Sequence, residues 1–158
     1  MTRPFDFKPI DPETRLTTIH ALKAWMIANR CNGWSYDIGG STIFEGYRLI
    51  QNAASFDWVY TERGVESVVK RFAQESDAVA YAFAQIRRDG FAWAYHVCSV
   101  RELAQRDAIK HELESRNIGY YDDAIPYGGM KDMRYRIYVH VSDADAVTDL
   151  VSKYHDVT

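Results

Sequence analysis

His96 and Cys98 are the residues of this sequence whose types and spacing come closest to a catalytic pair. Two positions apart on a regular strand, they would share one face, where the imidazole could act as the base for a thiol nucleophile. Cysteine is also among the most frequently buried residue types. We therefore interpret the pair as part of a small-residue face packed beneath a helix. A hydrolase or transferase that uses His96 or His140 stays open as an alternative.

The other candidates for catalysis, metal binding and phosphate binding lack an essential residue or geometry. His111-Glu112 would need a second histidine three residues after the glutamate to match a zinc-protease helix, and Ser115 stands there. Gly39-Gly40-Ser41-Thr42 lacks the lysine of a phosphate-binding loop and is interpreted as a turn. Asp122-Asp123 would point to opposite faces of a strand, a poor geometry for shared acid–base catalysis. We predict no catalytic, cofactor or metal site.

The segment GYYDDAIPYGGMKDM, from Gly119 to Met133, combines tyrosines with acidic residues and paired glycines. Aromatic side chains bury a large area, and acidic groups complement a basic surface, so the segment favours recognition of a basic partner protein. The predicted contact residues are Tyr120, Tyr121, Asp122, Asp123, Tyr127 and Asp132. An ordinary hairpin whose tyrosines cover the edge of the core explains the residues equally well.

A second group of acidic residues could form another contact surface. This predicted secondary patch consists of Glu62, Glu66, Glu75 and Asp77.

The strand from Met133 to Val141 has a polar face and an apolar face. The apolar face, which must point to the core, carries Met133, Tyr135, Ile137, Val139 and Val141. The polar face carries Arg134, Arg136, Tyr138 and His140. We expect the polar face to be solvated, or paired with carboxylates such as Asp122 across the hairpin. A binding role is the alternative, because interfaces are enriched in arginine and tyrosine.

The composition is that of a globular protein with 158 residues, of which 47% are hydrophobic and 26% are charged. The net charge of −3 and the absence of a basic run longer than Lys70-Arg71 or Arg87-Arg88 disfavour direct binding of nucleic acid. Two cysteines are too few for a disulfide framework. The chain shows no apolar leader and no run of about 18 apolar residues, so we expect a cytosolic protein without a membrane span.

Residues 1–90 are predicted to form a subdomain of helix, β-meander and helix. Asp11 can cap a helix whose first position is Pro12, and apolar residues at three- and four-residue spacing continue the pattern. Gly64 is expected to take a positive φ in a tight hairpin turn. The predicted elements are a helix that is capped by Asp11 and runs from Pro12 to about Arg30, strands over Thr42 to Gln51, Phe56 to Thr61 and Glu66 to Phe72, and a helix from about Glu75 to Arg88.

Residues 91–158 are predicted to form a second subdomain with the order βαββα. The predicted elements are a strand from Phe91 to Cys98, a helix from Val100 to about Arg116, strands over Ile118 to Ile125 and Met133 to Val141, and a last helix that starts at Ser142. Ser99 and Glu102 fit a capping box, and a helical turn at Phe91 is an alternative to the strand start. This order is that of a ferredoxin-like plait without its final strand.

The predicted fold class is therefore α+β, with an antiparallel β-meander and packed helices followed by a βαββα ferredoxin-like half. The two subdomains are expected to pack into one compact domain.

The segments WVYTERG and KRFAQESDAVAYAF, within Trp34 to Asp89, carry a recognisable pattern. An aromatic strand ends in a Glu-Arg-Gly turn, a short strand ends in phenylalanine, and an acidic stretch opens a helix through an Asp-Ala pair and a later tyrosine. This pattern resembles the immunity proteins of bacterial polymorphic toxin and contact-dependent growth inhibition systems. The matching residues are Trp58, Tyr60, Glu62, Arg63, Gly64, Phe72, Glu75, Asp77, Ala78 and Tyr81.

The resemblance implies a protein that binds a cognate toxin domain inside the cell and blocks its active site or a surface that the toxin needs. The toxins of such systems are often nucleases or NAD-degrading enzymes. The resemblance implies no contact residues, because the matching positions are scaffold features. A small-molecule-binding regulatory module of ferredoxin-like type is the alternative, with its ligand at a strand–helix junction such as Cys98-Ser99 or Val141-Ser142.

Overall fold

The structure is a computed structural model that describes residues 6–40 and 43–154, which fall into two compact units. The N-terminal unit is Lys8–Trp93, and the C-terminal unit consists of residues 94–154 with residues 6–7. The predicted α+β class is confirmed, since helices accompany a mixed four-stranded sheet in one unit and an antiparallel three-stranded sheet in the other. The packing of two subdomains into one compact domain stays a prediction.

The N-terminal unit contains the predicted antiparallel meander. Its elements are α1 (Ile19–Ala28), β1 (Tyr36–Ile38), β2 (Glu45–Gln51), β3 (Phe56–Glu62), β4 (Val65–Phe72) and α2 (Glu75–Arg88), followed by a 3-10 turn (Gly90–Trp93). The strand β1 was not predicted, and it pairs in parallel with β2, which makes the sheet mixed. The predicted strand start at Thr42 lies outside the described residues.

The first helix begins at Ile19, so the predicted start at Asp11 is wrong. Thr18 is the N-cap, and its side-chain oxygen accepts a hydrogen bond of 3.1 Å from the backbone N–H of Ala21. The carboxylate of Asp11 instead accepts two hydrogen bonds from the Arg87 guanidinium, at 2.5 and 2.8 Å. Such a bidentate ion pair is stronger than a neutral hydrogen bond, which explains why the carboxylate does not cap a helix.

Trp58 lies at the centre of the core between the sheet and α2. Its indole is stacked on the ring of Tyr47, with 5.4 Å between ring centroids, and meets the ring of Tyr81 edge-on at 6.1 Å. The buried stripe of α2 consists of Ala78, Val79, Ala82 and Ile86. Side chains of the middle strand therefore pack against α2.

The turn between β3 and β4 has the predicted conformation at Gly64, where φ is +83°. Arg63 also has a positive φ, of 51°. Two consecutive positive φ values are what a type I′ hairpin turn requires, and this turn matches the natural twist of the two strands.

The C-terminal unit has the predicted order βαββα. Its elements are β5 (Ala94–Val100), α3 (Leu103–Ser115), β6 (Tyr120–Pro126), β7 (Met133–His140), a 3-10 segment (Val141–Val147) and α4 (Thr148–Tyr154). The strand order β5-β7-β6, with antiparallel pairing throughout, is that of a ferredoxin-like plait without its last strand. The core residues are Val97, Cys98, Val100, Ile109, Leu113, Ile137, Val139, Val147 and Leu150.

The capping box predicted at Ser99 and Glu102 is wrong. Ser99 and Val100 belong to β5, where Val100 is fully buried and pairs with Tyr135 of β7. Glu102 is the N-cap of α3 and makes no side-chain cap hydrogen bond. A cap contributes about 1 kcal/mol, whereas burying a valine contributes about 1.5–3 kcal/mol in addition to strand pairing, so the strand prevails.

Two other boundaries in the C-terminal half also differ from the predictions. Phe91 lies in the 3-10 turn, which confirms the helical alternative, and the strand starts at Ala94. The last helix begins at Thr148 and not at Ser142, because a 3-10 segment precedes it. The ring of His140 accepts a hydrogen bond of 3.1 Å from the backbone N–H of Ser142 and caps that segment. Within residues 6–40 and 43–154, no helix is long and apolar enough to cross a bilayer.

Candidate functional site

The hairpin of β6 and β7 is closed by a short loop at residues 127–132, which we call the hairpin tip. The backbone N–H of Tyr127 donates to the carbonyl oxygen of Asp132, and the N–H of Asp132 donates to the carbonyl oxygen of Gly129, both at 3.0 Å. Gly129 has a φ of +100°, in the region that favours glycine. The tip is therefore a turn closed by hydrogen bonds of its own backbone.

The strand β6 places the predicted contact residues on two different faces of the sheet. Tyr120 and Asp122 point to the side of α3, where the Tyr120 hydroxyl donates to Glu114 at 2.7 Å and Lys110 lies 3.2 Å from Asp122. Tyr121 and Asp123, one position along, occupy the opposite face. The structure therefore does not bring these residues together in a single patch.

The acidic groups of the hairpin are paired within the chain. The Asp123 carboxylate accepts two hydrogen bonds from Arg136, at 2.8 and 2.5 Å. Asp132 lies 3.3 Å from Arg101 and 3.3 Å from Arg134. Because Asp122 pairs with a lysine of α3 as well, no acidic residue of the predicted patch is an uncompensated charge that would select a basic partner.

The polar face of β7 is not the solvated face that we expected. Tyr138 is 3% exposed and Arg134 is 9% exposed. The expected pairing across the hairpin does occur, but the carboxylate that pairs with Arg136 is Asp123 and not Asp122. The register explains the difference, because Asp123 is the direct partner of Arg136 in the strand pair. The burial of Ile137 and Val139 on the apolar face is confirmed.

The hairpin tip exposes two large apolar side chains. Tyr127 is 72% exposed and Met130 is 82% exposed. The guanidinium carbon of Arg134 lies 4.7 Å from the centroid of the Tyr127 ring, and this cation–π contact helps to hold the ring in place. Met130 was not among the contact residues predicted from the sequence. Its position between Gly128-Gly129 and a lysine was the only sequence feature that indicated an exposed side chain.

The four acidic residues of the secondary patch have different environments. Glu66 forms an ion pair with Arg48 on one face of the sheet. Glu75 belongs to α2 on the other face, where its side chain accepts a hydrogen bond of 2.9 Å from the backbone N–H of Ile19. Glu62 and Asp77 are exposed. Half of this patch is therefore engaged in holding the N-terminal unit together.

The geometry expected for His96 and Cys98 is wrong. A β-bulge between them shifts the register, so that His96 pairs with Tyr138 while Cys98 pairs with the next residue, Ile137. Because adjacent residues of β7 point to opposite faces, the imidazole and the thiol do so as well. Cys98 is fully buried in the core beneath the helices, as the packing interpretation required.

Burial raises the pKa of the Cys98 thiol from 9.0 to about 12. A shift in this direction lowers the thiolate fraction at neutral pH, and the thiolate is the reactive form. We expect iodoacetamide to leave Cys98 unmodified in the folded protein and to modify it after unfolding in urea, as measured by peptide mass mapping. Modification of folded Cys98 as fast as of unfolded Cys98 would contradict its burial. Cys31, which is half-buried, is the internal reference with which the extent of modification of Cys98 is compared.

Three other features of the described residues bear on metal or ligand binding. In the described part of the chain, no three His, Cys, Asp or Glu side chains are grouped so that they could hold a metal ion. Gly39 has a φ of +60° in a turn after β1, and Ser41 and Thr42 lie outside the described residues. A cleft of about 640 Å³ lies beside Lys110, Tyr120 and Asp122, whose polar groups are already bonded within the unit.

Several of the residues that carry the resemblance to immunity proteins are scaffold residues in the structure. Arg63 and Gly64 form the turn between β3 and β4, Phe72 ends β4, and the ring of Tyr81 contacts Trp58 in the core. Comparisons of the chain with protein-family models, with curated proteins and with solved structures give no match.

Proposed function

We propose that this protein is a bacterial immunity protein that acts in the cytoplasm, where it binds a cognate toxin through the hairpin tip and blocks it by occlusion. The observation that carries the proposal is the exposure of Tyr127 and Met130, at 72% and 82%, on a loop with a fixed backbone. The resemblance over Trp34 to Asp89 supports the choice of a toxin as the partner. The proposed action requires no bond to be made or broken.

The hairpin tip has the physical properties of an anchor for a protein interface. Aromatic and methionine side chains are enriched at interfaces, and a few such residues supply most of the binding energy. The two backbone hydrogen bonds and the contact with Arg134 hold Tyr127 in place before binding. A preformed loop loses little conformational freedom on association, which strengthens binding.

The paired charges of the hairpin affect the kind of partner that fits. Asp123 and Asp132 already lie against arginines, so a partner need not supply a basic group to neutralise them. Binding at the tip should therefore depend on apolar contact and shape more than on charge attraction. A tight complex needs about 800 Å² of buried surface on each partner, so the toxin must also cover residues around the tip.

The double substitution Tyr127→Ala with Met130→Ala should weaken binding to the toxin encoded beside this gene at least about 100-fold. Tyr127 and Met130 are sharper test positions than Tyr121 and Asp122, because Tyr121 lies against Tyr138 and Asp122 pairs with Lys110 inside the unit. The measurement is titration calorimetry of the purified pair. The melting temperature should not change.

The matched control variant removes two apolar side chains that are equally exposed but lie outside the hairpin tip. Phe44 and Val65 are 73% and 72% exposed in the N-terminal unit, and replacing both with alanine should leave toxin affinity unchanged. Equal affinity of the tip variant and the wild type would refute the placement of the contact. Cells that make the wild-type chain and still die from the toxin would refute the function itself.

A further inference from the structure

A cleft of about 370 Å³ opens in the N-terminal unit where β1 and β2 begin and β3 ends. Its walls are formed by four aromatic residues and two acidic residues, which are Trp34, Tyr36, Tyr47, Tyr60, Glu45 and Asp89. Ser35 and Gly46 complete the lining, so none of the lining residues is basic. Its volume falls in the range of about 300–1,000 Å³ that is typical of ligand pockets.

The strand register produces the aromatic wall of this cleft. Tyr36 of β1 pairs with Tyr47 of β2, and Tyr47 pairs with Tyr60 of β3, so the three side chains form a row on one face of the sheet. The rings of Tyr36 and Tyr47 are nearly parallel, with 6.3 Å between centroids, and Tyr60 is tilted against Tyr47 at 5.2 Å. Trp34, which is 44% exposed, contributes its indole to the same cleft.

Hydrogen bonds fix the two carboxylates of the cleft in place. The Tyr36 hydroxyl donates to Asp89 at 2.7 Å, and the Tyr60 hydroxyl donates to Glu45 at 3.1 Å. Burial and the bond to Asp89 raise the pKa of Tyr36 well above its ordinary value, and the bond to Glu45 raises that of Tyr60. Both hydroxyls therefore stay protonated at neutral pH and act only as donors to these carboxylates.

We propose that this cleft, which we call the guanidinium cleft, binds a guanidinium group such as that of an arginine side chain. The faces of aromatic rings carry negative charge density and attract organic cations. A guanidinium is planar, stacks on flat rings and forms charge-assisted hydrogen bonds to carboxylates. The exposed carboxylate of Glu45 is the acceptor, because both oxygens of Asp89 already accept hydrogen bonds from the Tyr36 hydroxyl and the backbone N–H of Phe91. The acidic lining contains no cation that would compete with it. The proposal concerns a different unit from the hairpin tip and does not depend on the proposed function.

The test is an NMR titration of the full chain with N-acetyl-L-arginine amide and with free L-arginine. We expect saturable shifts of the Trp34 indole N–H and of the Tyr47 backbone amide, with a dissociation constant on the order of 1 mM for so small a ligand. The neutral isostere N-acetyl-L-citrulline amide should give no saturable shift. Tighter binding of the capped compound identifies a side chain of a protein as the ligand, and tighter binding of the free amino acid identifies a metabolite.

Two variants test whether the cleft residues are responsible. Glu45→Gln keeps the size and the acceptor for Tyr60, and it should weaken binding of the arginine ligands about tenfold. Trp34→Ala should weaken binding similarly, monitored at the Tyr47 amide. Glu13→Gln, at an exposed carboxylate of the same unit that does not line the cleft, is the control and should bind normally. The proposal is overturned if arginine gives no saturable shift, if citrulline binds equally well, or if Glu45→Gln binds like the wild type.

Discussion

Trp58→Ala should lower the free energy of unfolding of the N-terminal unit by about 3–5 kcal/mol. Trp58 is 2% exposed, and its indole contacts the rings of Tyr47, Tyr36 and Tyr81. Alanine would leave a cavity between the sheet and α2 and remove these contacts. A loss of this size is a large part of the 5–15 kcal/mol that stabilises an ordinary domain.

Urea unfolding followed by circular dichroism measures this loss, with two variants for comparison. Trp58→Phe keeps an aromatic ring in the core and should cost less than Trp58→Ala. Phe44→Ala removes an aromatic ring that is 73% exposed in the same unit, and should change the stability by no more than about 0.5 kcal/mol. If Trp58→Ala cost as little as Phe44→Ala, the assignment of Trp58 to the core would be wrong.

The same stack connects the core to the guanidinium cleft. Tyr47 lies parallel to Trp58 on one side, with an interplanar angle of 8°, and its ring lines the cleft. A smaller ring at position 58 would let Tyr47 move away from Tyr60. Trp58→Phe should therefore weaken binding of N-acetyl-L-arginine amide even though residue 58 does not line the cleft. Tyr47 therefore links the packing of the core to the geometry of the cleft.

Local signals in the sequence were sufficient for much of the fold. The helix predicted from Glu75 to Arg88 has these bounds in the structure, and Gly64 has the positive φ expected of its turn. Both predictions depend on residues within a few positions of each other. The capping prediction at Asp11 failed because the partner of its carboxylate, Arg87, is 76 residues away in the chain. A sequence pattern contains no information about such a distant partner.

The candidate sites were harder to predict than the fold. The pairing of a hairpin carboxylate with the polar face of β7 was expected, but with Asp122 in place of Asp123, and the lysine of α3 that pairs with Asp122 was missed. The bulge between His96 and Cys98 places their side chains on opposite faces of the strand. The alternation of residue types along this strand does not indicate a bulge. The guanidinium cleft was missed because its row of tyrosines depends on β1, a parallel strand of only three residues.

Gly46→Ala should destabilise the N-terminal unit by about 3–5 kcal/mol, through backbone strain added to a steric clash. Gly46 has a φ of +141°, which other residues rarely adopt. A Cβ at this position would lie 2.3 Å from the carbonyl oxygen of Ser35 and 2.7 Å from its carbonyl carbon. Both atoms belong to the backbone, so the clash cannot be relieved by rotating a side chain.

Gly33→Ala is the matched control in the same unit. Gly33 also has a positive φ, of 72°, but a Cβ there would have no neighbour within 4 Å. The Gly33→Ala variant should therefore lose only about 1 kcal/mol of stability, which is the cost of the backbone strain alone. The carbonyl oxygen of Ser35 accepts a hydrogen bond of 2.8 Å from the N–H of Tyr47, and this bond holds β2 beside Trp34. Equal losses of stability for the two variants in urea unfolding would show that β2 does not approach Ser35 so closely. Trp34 and Tyr47 would then not form a shared wall of the guanidinium cleft.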